Sequence, residues 1–327
     1  MKKIALILIG LWIPECLAAQ SNIRLSNYWM DTYFINPAAL DNTLSPLRIG
    51  VGHRSQWVQF EGAPRTYMLI GAYYSDLMRS QFGLRAVFDN IGYTTTTDVA
   101  LTYAYSTRLD NVELNLGLGL RYQRLSYDRS QARMESTMID PALYALQPQS
   151  HYNADFGMEL VWPQRGYWVV GMSSQNLLSL FQIGQAPFAN TNFLYGRYRS
   201  NHSLHAFDRQ HSWWDFSTAL TLIHTKAYDS PHVFQGELNG NIHINFASSI
   251  LTAGVLYRTL SEAGLIMGLE WGGFNLSCVY EYPLEYAREG TVHPIGTMEI
   301  ILIYKINSHL KRSPCGRRDG RPCTGTL

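Results

Sequence analysis

Charge is scarce in this chain. Only 16% of its 327 residues are Asp, Glu, Lys or Arg, against roughly a quarter in an average soluble domain. The 26 basic and 25 acidic residues nearly cancel, so the basic field that a nucleic-acid binder needs is missing. Cysteine is scarce too: four are present and no Cys-x-x-Cys pair occurs, which leaves a zinc site unsupported. Neither His-Glu-x-x-His nor Gly-x-Ser-x-Gly is found, and Gly50-Val51-Gly52-His53-Arg54-Ser55 lacks the last glycine of a dinucleotide loop. No catalytic, metal or cofactor-binding residue is therefore expected. A barrel hydrolase remains conceivable only if His205, His211, His224 or His243 meets a serine in space. Proline and serine tracts are absent, which excludes wholesale disorder. Beyond the N-terminus no segment approaches the ~20 apolar residues of a membrane helix.

The N-terminus is a separate matter. Lys2 and Lys3 precede the apolar run 4–13, then Pro14, Glu15 and the small-residue stretch Cys16-Leu17-Ala18-Ala19. This is the pattern of a cleavable secretory signal peptide over 1–19. An exported chain without helical spans is either soluble or a β-barrel.

What the chain does have is glycine, aromatics and alternation. In 112–123, Val112, Leu114, Leu116, Leu118, Leu120 and Tyr122 face one way; Glu113, Asn115, Gly117, Gly119, Arg121 and Gln123 face the other. In 237–246, Leu238, Ile242, Ile244 and Phe246 oppose Glu237, Asn239, Asn241, His243 and Asn245, and 274–282 repeats the pattern. Period two means strand. Runs of this length match the ~9–11 residues of a tilted membrane strand rather than the ~5–6 of a soluble one. A secreted β-sandwich would give the same alternation, but with the leucine rows buried and the charged rows exposed. Strand length, low charge and recurrent in-strand glycines favour an all-β transmembrane antiparallel barrel.

Fourteen strands are expected between 47 and 306, the first at 47–60, the eighth at 193–206 and the last at 295–306. Their connections alternate. Short ones fall at 76–79, 110–111, 163–165, 207–211, 247–248 and 272; long ones at 127–150, 175–192, 226–231 and 283–294, while 61–64, 91–96 and 259–262 on the long side are short or middling. Outer-membrane barrels have short periplasmic turns and long outside loops, so both ends of the barrel are expected on the periplasmic side. The organisation is then a signal peptide (1–19), a segment under the rim or plugging the lumen (20–46), the barrel (47–307) and a basic tail (308–327). Arg121, Glu113, Glu159, Asp155, Glu237, Glu270 and Glu281 fall on polar faces, and pairing inside a filled lumen competes with ion selection as their role.

Ile35-Asn36-Pro37-Ala38, Arg54-Ser55-Gln56-Trp57, Phe60-Glu61-Gly62-Ala63-Pro64 and Asp89-Asn90-Ile91-Gly92 occur in that order. Tyr103-Ala104-Tyr105, Gly171-Met172-Ser173, Tyr280-Glu281-Tyr282 and Gly296-Thr297-Met298-Glu299-Ile300 follow. This series resembles the PorP/SprF family of Bacteroidota outer-membrane proteins. It departs at Ala39-Leu40-Asp41, where the family often has glycine, and at Met298, where its usual residue is histidine. The resemblance implies an outer-membrane component of the type IX secretion system. Its implied partners are other components of that system and secreted proteins with a C-terminal sorting domain, gliding adhesins among them.

Two stretches are singled out as partner-binding candidates. Arg54, Gln56 and Trp57, with Gly62 and Pro64, read either as turn chemistry with an interfacial tryptophan or as a contact patch. Asn36 and Pro37 follow the aromatic stretch 28–34, which suits a lumen plug or a docking surface. The tail carries Cys315 and Cys323 among Gly, Pro and Arg; it reads as a periplasmic extension, with a disulfide as one alternative.

Overall fold

Inward and outward rows alternate along every strand of the computed structural model. It describes residues 25–40, 46–58, 62–128, 147–162, 167–181, 188–200, 212–224, 233–246, 249–259, 262–284 and 296–306. The expected signal peptide and tail, with Cys315 and Cys323, lie outside the described residues.

The strands are β1 (Leu47–Ser55), β2 (Arg65–Ser75), β3 (Ser80–Ile91), β4 (Thr94–Leu109), β5 (Val112–Tyr127), β6 (Gln149–Trp162) and β7 (Tyr167–Gln175). They continue as β8 (Asn190–Arg199), β9 (Trp213–His224), β10 (Val233–Phe246), β11 (Ser249–Arg258), β12 (Glu262–Trp271), β13 (Phe274–Pro283) and β14 (Thr297–Ile306). Each pairs with its sequence neighbours, and β14 closes on β1 to complete a barrel. The seam is antiparallel, from Leu47 opposite Ile306 to Ser55 opposite Met298.

The rows decide between sandwich and membrane barrel. Leu118 and Leu120 are 61% and 74% exposed, whereas Asn115 and Arg121 on the other row are 0% and 6% exposed. Apolar side chains face outward and charges face inward, the reverse of a water-soluble sandwich. Aromatic residues gather where the outward rows end. Trp168, Tyr198 and Trp214 pack together, as do Phe274 and Tyr304, at the end carrying the short turns. Tyr122 and Tyr152 pair towards the other end. Two such belts are what amphipathic rings form at the two membrane–water interfaces.

Turn chemistry matches the sequence. Gly272 and Gly273 both have positive φ (58° and 88°), the requirement of a two-residue type I′ hairpin. The first strand is shorter than expected, ending at Ser55 rather than 60. Trp57 takes φ 51°, which breaks the ladder, and Gln56 N donates to the Pro64 carbonyl at 3.0 Å to turn the chain.

The eighth strand is shifted towards the N-terminus relative to 193–206. It stops where Ser200 closes on Trp214: Ser200 N donates to Trp214 O (2.9 Å) and Trp214 N to Ser200 Oγ (3.1 Å). The connection 200–212 is therefore long on the short-turn end, and 92–93 is tight on the long-loop end. The connection 259–261 is tight on the long-loop end as well; elsewhere the long-short order holds.

Candidate functional site

Residues 25–40 lie inside the barrel, with Ser26, Asn27, Tyr33, Phe34, Asn36 and Ala38 at most 3% exposed. The wall makes room by omitting side chains. A Cβ on Gly83 would run into the Tyr33 hydroxyl, one on Gly117 into the Pro37–Ala38 backbone, and one on Gly157 into Asn36 Oδ1. Glycine permits that close approach of two backbones.

One end of the segment is held by a charge network. Glu299 accepts from Ser26 N (3.0 Å) and Asn27 N (2.8 Å). Arg54 bridges Glu299 and Glu281 at 3.0 Å each and donates to Ser26 Oγ at 2.9 Å. Arg258 binds Glu237 at 2.9 Å, Glu262, and Ser26 Oγ at 3.0 Å, and the Ser26 hydroxyl donates to Glu281. Asn27 Oδ1 accepts from Ser277 at 2.6 Å. Strand parity aims these side chains: Arg54 shares the inward row of Gly50 and Gly52, and Glu281 that of Ser277 and Val279. Buried charges survive only when paired and hydrogen-bonded, and here each guanidinium meets more than one carboxylate.

Further along, Asp31 caps the short 3-10 turn Thr32–Phe34 through Tyr33 N (3.0 Å) and pairs with Arg48 at 3.1 Å. The Tyr33 and Thr102 hydroxyls share a 2.6 Å hydrogen bond. Arg85 donates to the Phe34 carbonyl (2.7 Å) and to Asp155 (2.9 Å), which also pairs with Arg121. Ser173 donates to the Ile35 carbonyl at 2.6 Å, and Arg48 and Gln81 to the Ala39 carbonyl at 3.0 and 3.2 Å. Asn36 donates to Met158 O (3.1 Å) and Tyr195 Oη (2.9 Å), while its Oδ1 accepts from Ala38 N (2.8 Å). The wall thus holds the segment through both its backbone (Ser26, Asn27, Phe34, Ile35, Ala39) and its side chains (Ser26, Asn27, Asp31, Tyr33, Asn36).

The residues singled out from the sequence divide. Arg54 is 4% exposed and turned into the lumen; it is no part of an outer patch. Asn36 and Pro37 also lie in the lumen, against Gly157. Gln56, Trp57, Gly62 and Pro64 stay at the β1–β2 connection, where Trp57 is 43% exposed and Gly62 O accepts from Gly92 N at 3.0 Å. Sequence reasoning missed Ser26, Arg48, Arg85, Arg258 and Glu299. Their signal was present: each of the four charged residues stands on an inward row of a strand otherwise poor in charge. Of the polar-face residues, Arg121, Asp155, Glu237 and Glu281 pair inside the barrel, and Glu159 accepts from Tyr195 Oη at 2.7 Å.

His205 and His211 lie outside the described residues, as does the side chain of His224. His243 meets a threonine rather than a serine. Its Nδ1 is 2.9 Å from Thr252 Oγ1 and its Nε2 2.9 Å from Asp215, which Arg197 and Asn241 also engage. Trp213 stacks on the ring. The cluster ties β8, β9, β10 and β11 together across their inner faces.

The sequence matches the family model of the type IX secretion system membrane protein PorP/SprF over residues 17–304. The chain belongs to this family. No curated protein matches it. Among solved structures, the CymD monoaromatic hydrocarbon channel is 12% identical, with 90% of this chain and 96% of that one covered at a TM-score of 0.48. The toluene transporter TbuX of Ralstonia pickettii is 9% identical, with 84% and 93% covered at 0.49. A FadL homologue of Pseudomonas aeruginosa is 10% identical, with 84% and 93% covered at 0.46. Similarity of this order says nothing about what this PorP/SprF barrel carries. Family and architecture together make it an outer-membrane barrel of the type IX secretion system.

Proposed function

We propose that this barrel acts by binding, without chemistry and without a cofactor. It docks components of the secretion machine, the periplasmic ring among them, and secreted proteins bearing a C-terminal sorting domain, for export or surface attachment; gliding-type adhesins are one such class. The observation that carries this reading is the occupied lumen. Residues 25–40 occupy it with a hydrogen-bonded segment most of whose side chains are buried. The rival reading, a porin or hydrophobic-solute channel, needs a continuous open path through the same space.

Contacts with partners then fall to the rims. Gln56, Trp57, Gly62 and Pro64 are the proposed contact residues at the long-loop rim, since an exposed tryptophan on a fixed turn is a ready anchor. Arg54, Asn36 and Pro37 serve it indirectly by holding the segment. A cleaved signal peptide brings the chain to the membrane, the long loops face the exterior, and lipid covers the leucine rows.

Affinity purification of the intact protein from native membranes tests this. Secretion-system components or sorting-domain proteins are expected to come down with it, and less of them with Trp57→Ala. Recovery alone, alongside steady conductance in planar bilayers, would favour the channel.

A further inference from the structure

The segment has a direction. Ser26 and Asn27 are held by Arg54, Glu281 and Glu299, each within three residues of the long-loop end of its strand. Leu25 borders a cavity with Thr191, Ile223, Gln235 and Arg258, which also stand within three residues of the long-loop ends of β8, β9, β10 and β11. At the other end, the Ala39 carbonyl accepts from Arg48 and Gln81, the second residues of β1 and β3. Leu40 packs with Tyr74, next to last in β2. All three lie at the short-turn end, where β1 begins.

From these placements we infer that the chain is threaded through its own barrel, with Leu40 at the short-turn mouth and Leu25 at the long-loop mouth. The strands begin and end at the short-turn side, yet Leu25 stands at the opposite face. A periplasmic partner then meets the Leu40 end of the segment, and an extracellular partner meets the Leu25 end. The cellular side of each mouth rests on the outward orientation of the long loops proposed above; the threading itself does not.

Thiol labelling on cells tests both separately. In full-length protein with Cys16, Cys278, Cys315 and Cys323 replaced by serine, three single variants are compared. They are Ser21→Cys ahead of the segment, Ser136→Cys in a long connection and Asn111→Cys in a short turn, with intact mass verifying that residue 21 is retained. A membrane-impermeant maleimide is applied before and after outer-membrane permeabilisation. Threading predicts that Ser21→Cys labels as Ser136→Cys does, to a similar extent and on the same side. Labelling that follows Asn111→Cys overturns it, and so does labelling that requires denaturation. If Ser136→Cys and Asn111→Cys exchange sides, the orientation fails, while the threading is still judged by which of the two Ser21→Cys follows.

Discussion

At Gly157 and Gly117 the missing side chains leave the space that Asn36, Pro37 and Ala38 occupy. Gly157→Val puts its first carbon into Asn36 Oδ1, on an amide pinned by hydrogen bonds to Met158 O, Tyr195 Oη and Ala38 N. Overpacking of this kind costs about 1–3 kcal/mol, so the temperature at which the barrel loses its heat-modifiable mobility on SDS gels should fall. Gly71 has open space around it, and Gly71→Ala should leave that temperature almost unchanged. Glu299 is fully buried and pairs with Arg54 while accepting two backbone amides. Glu299→Ala leaves the Ser26 and Asn27 amides without their acceptor, at a cost of roughly 3–5 kcal/mol for breaking a buried pair. Limited proteolysis should then cut between 25 and 40 in the variant and not in the parent.

Among the elements, strands were legible because their period leaves little choice. Once Leu116, Leu118 and Leu120 face lipid, Asn115, Gly117, Gly119 and Arg121 must face inward, and the structure has them so. The same parity already fixed the direction of Arg54 from Gly50 and Gly52, although its place in the Arg-Ser-Gln-Trp motif drew attention to the outer rim instead. Where β8 stops was not legible. Ser200 ends the ladder through a side-chain hydrogen bond to Trp214 N, and no periodicity encodes that. The path of 25–40 was half legible: its aromatic content argued against solvation, but its contacts run to β1, β3, β6, β7, β13 and β14, far apart in sequence. Deleting 25–40 tests the element as a whole. The parent should conduct little in planar bilayers and the deletion should conduct steadily, since the same lumen is then filled by water. Equal traces from both would mean that the segment does not close the path.

For the whole molecule the decisive boundary is between lipid and wall. Leu120 is 74% exposed near the middle of β5, one of the two longest strands, and Arg121 beside it is buried against Asp98 and Asp155. Adjacent residues therefore meet opposite solvents. A charge on the lipid face near the bilayer midplane costs roughly 2–4 kcal/mol, so Leu120→Arg should lower by that much the folding free energy read from denaturant titration of refolding into vesicles. Leu120→Ala should cost far less, because it loses apolar contact with lipid but buries no charge. Arg121→Leu inverts the test. It adds apolar surface to the lumen and leaves Asp155 with Arg85 and Asp98 with the Gln123 amide, so it should destabilise although the chain becomes more hydrophobic. If Leu120→Arg proved harmless while Arg121→Leu stabilised the protein, the inside and outside of the cylinder would have to be exchanged. The docking function proposed for its rims would then lose its membrane.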